Sequence, residues 1–200
     1  VVMLVHQIKR FRDALPFLEP LVLIAFVSFG LLLFSFFEVA DDVMEGDTHA
    51  IDMRILMLLR DGNNPQNPLG PPWVGEMVRD ISGLGGIAIL TLVTVSAAIY
   101  LCMIKRVGEA AYLAVAVSVG TLLSNALKFG FARPRPDIVP HGSYTFTGSF
   151  PSGHSMMSAL VFLSVGMMLA KAQKSTPPKV FFLGMSVVLT IMIGISRVYL

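Results

Sequence analysis

Charge is what this sequence has least of. Only 14% of its 200 residues are Asp, Glu, Lys or Arg, against about 25% in soluble domains. With 54% hydrophobic residues and a mean hydropathy of +0.73, that deficit excludes an ordinary soluble globular domain. Cysteine is lacking apart from Cys102, so no internal disulfide framework exists. A large net charge is lacking too. The formal value is +2, and Lys and Arg are spread between apolar runs, which excludes the basic face of a nucleic-acid binder. A cleavable leader is not expected, because His6, Lys9, Arg10, Arg12, Asp13 and Glu19 interrupt the first twenty residues where an apolar signal core belongs.

What is present is a set of uncharged runs. Residues 20–37, 81–104, 110–127 and 180–196 contain no Asp, Glu, Lys or Arg, and 153–170 forms a fifth apolar stretch. Each approaches the roughly 17–25 residues that cross a bilayer as a helix. The twelve prolines fall outside these interiors, as expected for residues that remove a helix hydrogen bond and clash with the preceding turn. The expected fold is therefore an all-α, polytopic transmembrane helix bundle. It forms a single membrane-embedded domain over residues 1–200, with outer loops at 38–80 and 128–152.

Orientation rests on the excess of basic residues in short cytoplasmic loops. A cytoplasmic N-terminus places Lys9, Arg10, Arg12, Lys105, Arg106, Lys171, Lys174 and Lys179 inside. The first outer loop begins with the acidic run Glu38, Asp41, Asp42, Glu45 and Asp47, read as solvated. Farther along, Ile51, Ile55, Leu56, Leu58 and Leu59, and then Trp73, Met77 and Ile81, recur at helical spacing, predicting short interfacial helices. Trp73, the only tryptophan, reads as an interfacial anchor. Gly120, Ser124 and Ser164 are read as small residues that let spans approach closely.

The chemistry gathers at the second outer loop. It starts at Lys128, passes Arg133-Pro134-Arg135-Pro136-Asp137, and ends at Pro151-Ser152-Gly153-His154 before an uninterrupted apolar helix. A helix starting at Ser152-Gly153-His154 offers outward-pointing amides and a positive dipole end, which favour an anion. Gly153 permits close approach, and Ser152 also suits an N-cap. A guanidinium binds phosphate oxygens bidentately and an ammonium adds point charge, so Lys128 and Arg135 make a tetrahedral oxyanion the natural guest. Counting crossings, Arg197 at the end of the fifth span faces the same side.

These residues resemble the three-part signature of the type 2 phosphatidic acid phosphatase superfamily, which includes bacterial lipid phosphatases and vanadium haloperoxidases. Lys128 through Arg135-Pro136 matches its first motif, Pro151-Ser152-Gly153-His154 its second, and Ser196-Arg197 the start of its third. The third motif continues with a histidine and an aspartate, which the spacing places three and seven positions beyond Leu200. The resemblance thus implies six spans, of which this chain carries five, and a chain ending at Leu200 is expected to lack activity by this route.

The resemblance implies a lipid phosphatase working through a phosphohistidine. Lys128, Arg135 and Arg197, with backbone amides around Ser152 and Gly153, bind the phosphoryl group. His154 and Arg197 are its catalytic residues here, His154 as general acid and then base. No metal or other cofactor is implied. Substrates that fit a site at the rim of a bundle are phosphatidate, phosphatidylglycerol phosphate, a polyprenyl diphosphate or a lipid A phosphate, taken from surrounding membrane lipids. The implied location is a bacterial inner membrane, with the site on the periplasmic face. Three other readings compete. A vanadate-holding haloperoxidase conflicts with five apolar spans. A non-catalytic lipid-phosphate binder suits a chain without the nucleophile. A transporter conflicts with ionisable residues that lie at span ends instead of the midplane.

Overall fold

The structure is a computed structural model that describes residues 2–62, 64, 67–131 and 150–200, with side chains described from residue 20 onward apart from residue 21. Among the described residues seven helices run in the order α1 (Val2–Glu45), α2 (His49–Leu58), α3 (Pro72–Leu84), α4 (Ile87–Met103), α5 (Val107–Phe131), α6 (Gly153–Ala172) and α7 (Thr176–Tyr199). Among the described residues the only β-type pairing is an isolated bridge between Arg60 and Pro68. The chain divides into two compact units, Val1–His49 and Ala50–Leu200. Among the described residues four helices are long and apolar enough to span a membrane, and the bent pair α3–α4, counted as one span, brings the number to five. The protein is an all-α, multi-pass membrane protein.

The first unit is α1. Its candidate span runs Val22–Glu45, longer than the uncharged run 20–37, because Glu38, Asp41, Asp42 and Glu45 continue the helix instead of opening a loop. Charge counting misses this, since carboxylates are tolerated in a helix that has reached water. The end comes at Gly46, whose φ of 86° is the left-handed conformation that glycine adopts freely and that closes helices. The amides of Gly46 and Asp47 both return to the Asp42 carbonyl, at 3.1 and 3.0 Å. Pro16 and Pro20 also lie within α1, N-terminal to the candidate span.

The second departure is the apolar run 81–104, which is broken. Helix α3 stops at Leu84, α4 starts at Ile87, and their axes differ by 44°. The cause is the Gly85-Gly86 pair, a common site of sharp kinks. The Gly85 and Gly86 amides close tight turns on the Ser82 and Gly83 carbonyls at 3.0 and 2.9 Å. The interfacial helices expected in the first outer loop correspond to α2 and α3.

Helix α6 is the central member of the second unit. On one side it meets α5, where a Cβ on Gly120 would collide with Leu160 Cδ2. On the other it meets α7, where a Cβ on Gly166 would collide with the Ser186 hydroxyl and lie 3.1 Å from the Phe182 carbonyl oxygen. Small residues thus set the spacing, as van der Waals packing in lipid requires. Gly166 is the close-approach residue of α6, and Ser164 is only half-buried. Three buried serines bond within their own helices, Ser158 donating to Ser155 O at 3.1 Å, Ser186 to Phe182 O at 2.8 Å and Ser196 to Ile193 O at 2.7 Å. Large side chains such as Val115, Val119, Leu122, Val188 and Ile195 remain exposed, which suits a surface solvated by acyl chains.

Candidate phosphate site at the helix ends

The site grows from three helix faces. On α5, Gly120, Ser124 and Lys128 recur every four residues and therefore share one face. Gly120 and Ser124 are buried, and that face runs antiparallel along α6. Its last member, Lys128, brings its Nζ to 3.0 Å from where a Cβ on Gly153 would stand, and the Ser124 hydroxyl lies 3.8 Å from the same point. The first and second sequence motifs therefore meet through Lys128 and Gly153. The rings of Phe131 and Phe150 pack edge-to-face at 5.2 Å between centroids, holding the end of α5 beside the start of α6.

Helix α6 begins as the sequence suggests. Ser152 is its N-cap, with its hydroxyl accepting from the Ser155 amide at 3.4 Å and from the Ser155 hydroxyl at 3.1 Å. The Ser152 side chain is thus engaged in ordering the helix start, and its contribution to an anion is through the backbone. First-turn amides have no carbonyl one turn earlier to receive them, so the Gly153 end of α6 presents the donors and dipole that favour an anion. His154, in the same turn, is half-buried.

On α7, Ser186, Ile193 and Arg197 fall on one face by their spacing. Ser186 and Ile193 are buried, so this face carries Arg197 inward at the end of the helix. A Cβ on Gly194 would lie 4.0 Å from the Ser155 hydroxyl, which sets this end of α7 beside the start of α6. Lys128, Gly153, His154 and Arg197 thus occupy one end of the α5–α6–α7 layer. Arg135 lies outside the described residues, as do Arg133 and His141.

A fourth element, absent from the motif reading, completes the surroundings. The last turn of α3 packs on α7, and Gly85 just after it also reaches the start of α6. A Cβ on Gly85 would stand 2.7 Å from Ile193 Cγ2 and 3.4 Å from His154 Cβ, so only glycine lets this turn seat. Ser82, one turn earlier and buried, accepts from Arg197 Nη1 at 3.3 Å. The signal that would have found it is the Gly83-Leu84-Gly85-Gly86 sequence, whose glycines are out of place inside an apolar span.

Beyond the site, the first outer connection is fastened to the end of α7. The Tyr199 hydroxyl donates to Leu69 O at 2.5 Å, and Arg60 Nη2 to Leu200 O at 3.2 Å. Arg60 is buried, and that burial lowers its pKa from the ordinary value while nearby Tyr199 opposes the shift. The Leu69 amide returns to Leu59 O at 2.8 Å, closing the connection on itself.

Residues 109–200 match the PAP2 superfamily. Over 133 residues the chain is 31% identical to phosphatidylglycerophosphatase B of Bacillus subtilis (strain 168), an alignment that covers 64% of this chain and 64% of that relative. The fold is similar to a crystal structure of a transmembrane PAP2-type phosphatidylglycerolphosphate phosphatase from Bacillus subtilis, with a TM-score of 0.70 and 26% identity over 85% of this chain and 82% of that one. Residues 109–200 therefore carry a PAP2-superfamily segment within an all-α, multi-pass membrane chain that spans 64% of the length of the curated relative it matches.

Proposed function

We propose that this protein is a lipid phosphatase that removes a terminal phosphate from a membrane lipid, with phosphatidylglycerol phosphate as its substrate. The observation that carries the reading is the meeting of Lys128 with Gly153 at the start of α6, with Arg197 brought to the same end by the inward face of α7. A cationic cradle against a helix N-terminus favours a phosphoryl group. The relative and the solved structure named above favour this head group over phosphatidate, a polyprenyl diphosphate or a lipid A phosphate.

In this reading Lys128, Arg135 and Arg197, with the amides of Ser152 and Gly153, hold the phosphoryl oxygens and offset the charge that develops in the transition state. No divalent metal is required, because these side chains supply the positive field. A histidine nucleophile, placed by the third-motif spacing three positions past Leu200, attacks phosphorus, and the bond to the lipid oxygen breaks. His154 protonates that oxygen as it leaves. It then accepts a proton from the water that releases phosphate. The site opens to the periplasmic face of a bacterial inner membrane, within a single membrane-embedded phosphatase domain, and the N-terminus is cytoplasmic.

The test is phosphate release by the natural full-length protein in mixed micelles, with phosphatidylglycerol phosphate, phosphatidate and a polyprenyl diphosphate compared at equal mole fraction. Release of phosphate with phosphatidylglycerol phosphate preferred is expected. Tight binding of the lipid without any release would replace the phosphatase reading with that of a lipid-phosphate binder.

A further inference from the structure

We propose that Ser82 is a positioning residue for Arg197, so that the last turn of α3 forms part of the phosphate site. The inference rests on the phosphatase reading and extends it to a residue outside the matched segment 109–200. Three observations carry it. Ser82 is 4% exposed, so its hydroxyl is directed into protein instead of solvent. Its Oγ receives Arg197 Nη1 at 3.3 Å across 115 positions of sequence. The turn that presents it is seated by Gly85, which lies beside His154 and fits against Ile193 only because it lacks a Cβ. The break between α3 and α4 and the Ser82 contact are thus parts of one arrangement. The kink lets α3 turn over the end of α7, and the serine then fixes the guanidinium there.

An arginine on the last turn of a helix has many rotamers, and a bidentate grip on phosphate needs one of them. A buried hydroxyl on one Nη removes part of that freedom before substrate arrives. Such ordering acts where alignment matters most, in the transition state. Loss of the hydroxyl should therefore lower kcat and leave KM nearly unchanged.

The experiment uses the natural full-length protein in detergent, with phosphatidylglycerol phosphate as probe, and compares Ser82→Ala, Ser82→Cys and Arg197→Ala. Ser82→Ala is expected to lower kcat about tenfold, the scale of one hydrogen bond to a charged group, with KM and the thermal midpoint at wild-type values. Ser82→Cys nearly conserves volume but supplies a weaker acceptor. It keeps the variant test valid should alanine disturb packing, and it is expected to lower kcat at an unchanged midpoint. Wild-type kcat in Ser82→Cys, or in a Ser82→Ala protein of unchanged midpoint, overturns the proposal. Arg197→Ala separates the two levels of inference. An inactive Arg197→Ala beside a fully active Ser82→Ala removes only the positioning role, whereas near-normal turnover in Arg197→Ala removes the phosphate site itself.

Discussion

Two glycines of α6 bring neighbouring helices close for different purposes. Gly166, within the span, meets the Ser186 hydroxyl and the Phe182 carbonyl of α7, and no room for a methyl group remains. Gly153, at the helix start, meets the flexible end of Lys128, with the ammonium 3.0 Å from where a methyl group would be. The Gly166 contact is backbone and short side chain, so a substitution there must move a helix. The Gly153 contact is the tip of a long side chain, so a substitution there moves a charge. In the proposed reading one helix carries a stability position and a chemistry position, and the two should fail in separable ways.

The largest effect is expected at the chemical end. In the natural full-length protein, His154→Ala should slow hydrolysis of a lipid phosphate by about 10²–10⁴, the usual scale of general acid–base catalysis. An activated aryl phosphate, whose leaving group needs no proton, should be slowed far less. Equal losses on both substrates would argue against proton transfer by His154.

Gly166→Ala comes next and should act on the fold. Overpacking a close contact costs about 1–3 kcal/mol, so the thermal midpoint in detergent should fall while KM of the surviving folded protein stays at the wild-type value. A changed KM without a changed midpoint would erase the distinction between the two glycines. Gly153→Ala is the converse. Alanine is a better helix former than glycine by about 1 kcal/mol in helix interiors, so the midpoint should hold or rise. Displacement of Lys128 should meanwhile lower kcat/KM by about tenfold, the order of a single charged hydrogen bond. The smallest effect is expected at Tyr199→Phe. Loss of its bond to Leu69 O removes about 0.5–1.5 kcal/mol, readable as a small midpoint shift and faster proteolysis of the 60–70 connection with turnover retained.

Much of this comparison is legible in sequence, for physical reasons that differ by residue. The α6 start is readable because Pro151-Ser152-Gly153 is local: cap, close approach and apolar continuation follow one another along the chain. Gly120 and Ser124 are readable because small residues inside apolar runs have few other uses. The kink at Gly85-Gly86 was hidden by a composition that stays apolar across it, and the continuation of α1 to Glu45 was hidden by charges that a helix tolerates in water. Ser82 had no local sign at all. The role proposed for it depends on Arg197, 115 positions away, and a contact of that range exists only once α3, α6 and α7 have packed. Arg60 and Tyr199 belong to the same class, since both act on partners more than a hundred residues distant.

In the proposed reading the cations at the ends of α5 and α7 serve the phosphoryl group and not the fold. The most direct test is phosphate release from phosphatidylglycerol phosphate by natural full-length Arg197→Ala protein, with the thermal midpoint measured on the same sample. Loss of one oxyanion donor is worth about 10²–10³ in kcat. A fall of that size at an unchanged midpoint is expected. Near-normal release by a protein of wild-type midpoint would contradict it.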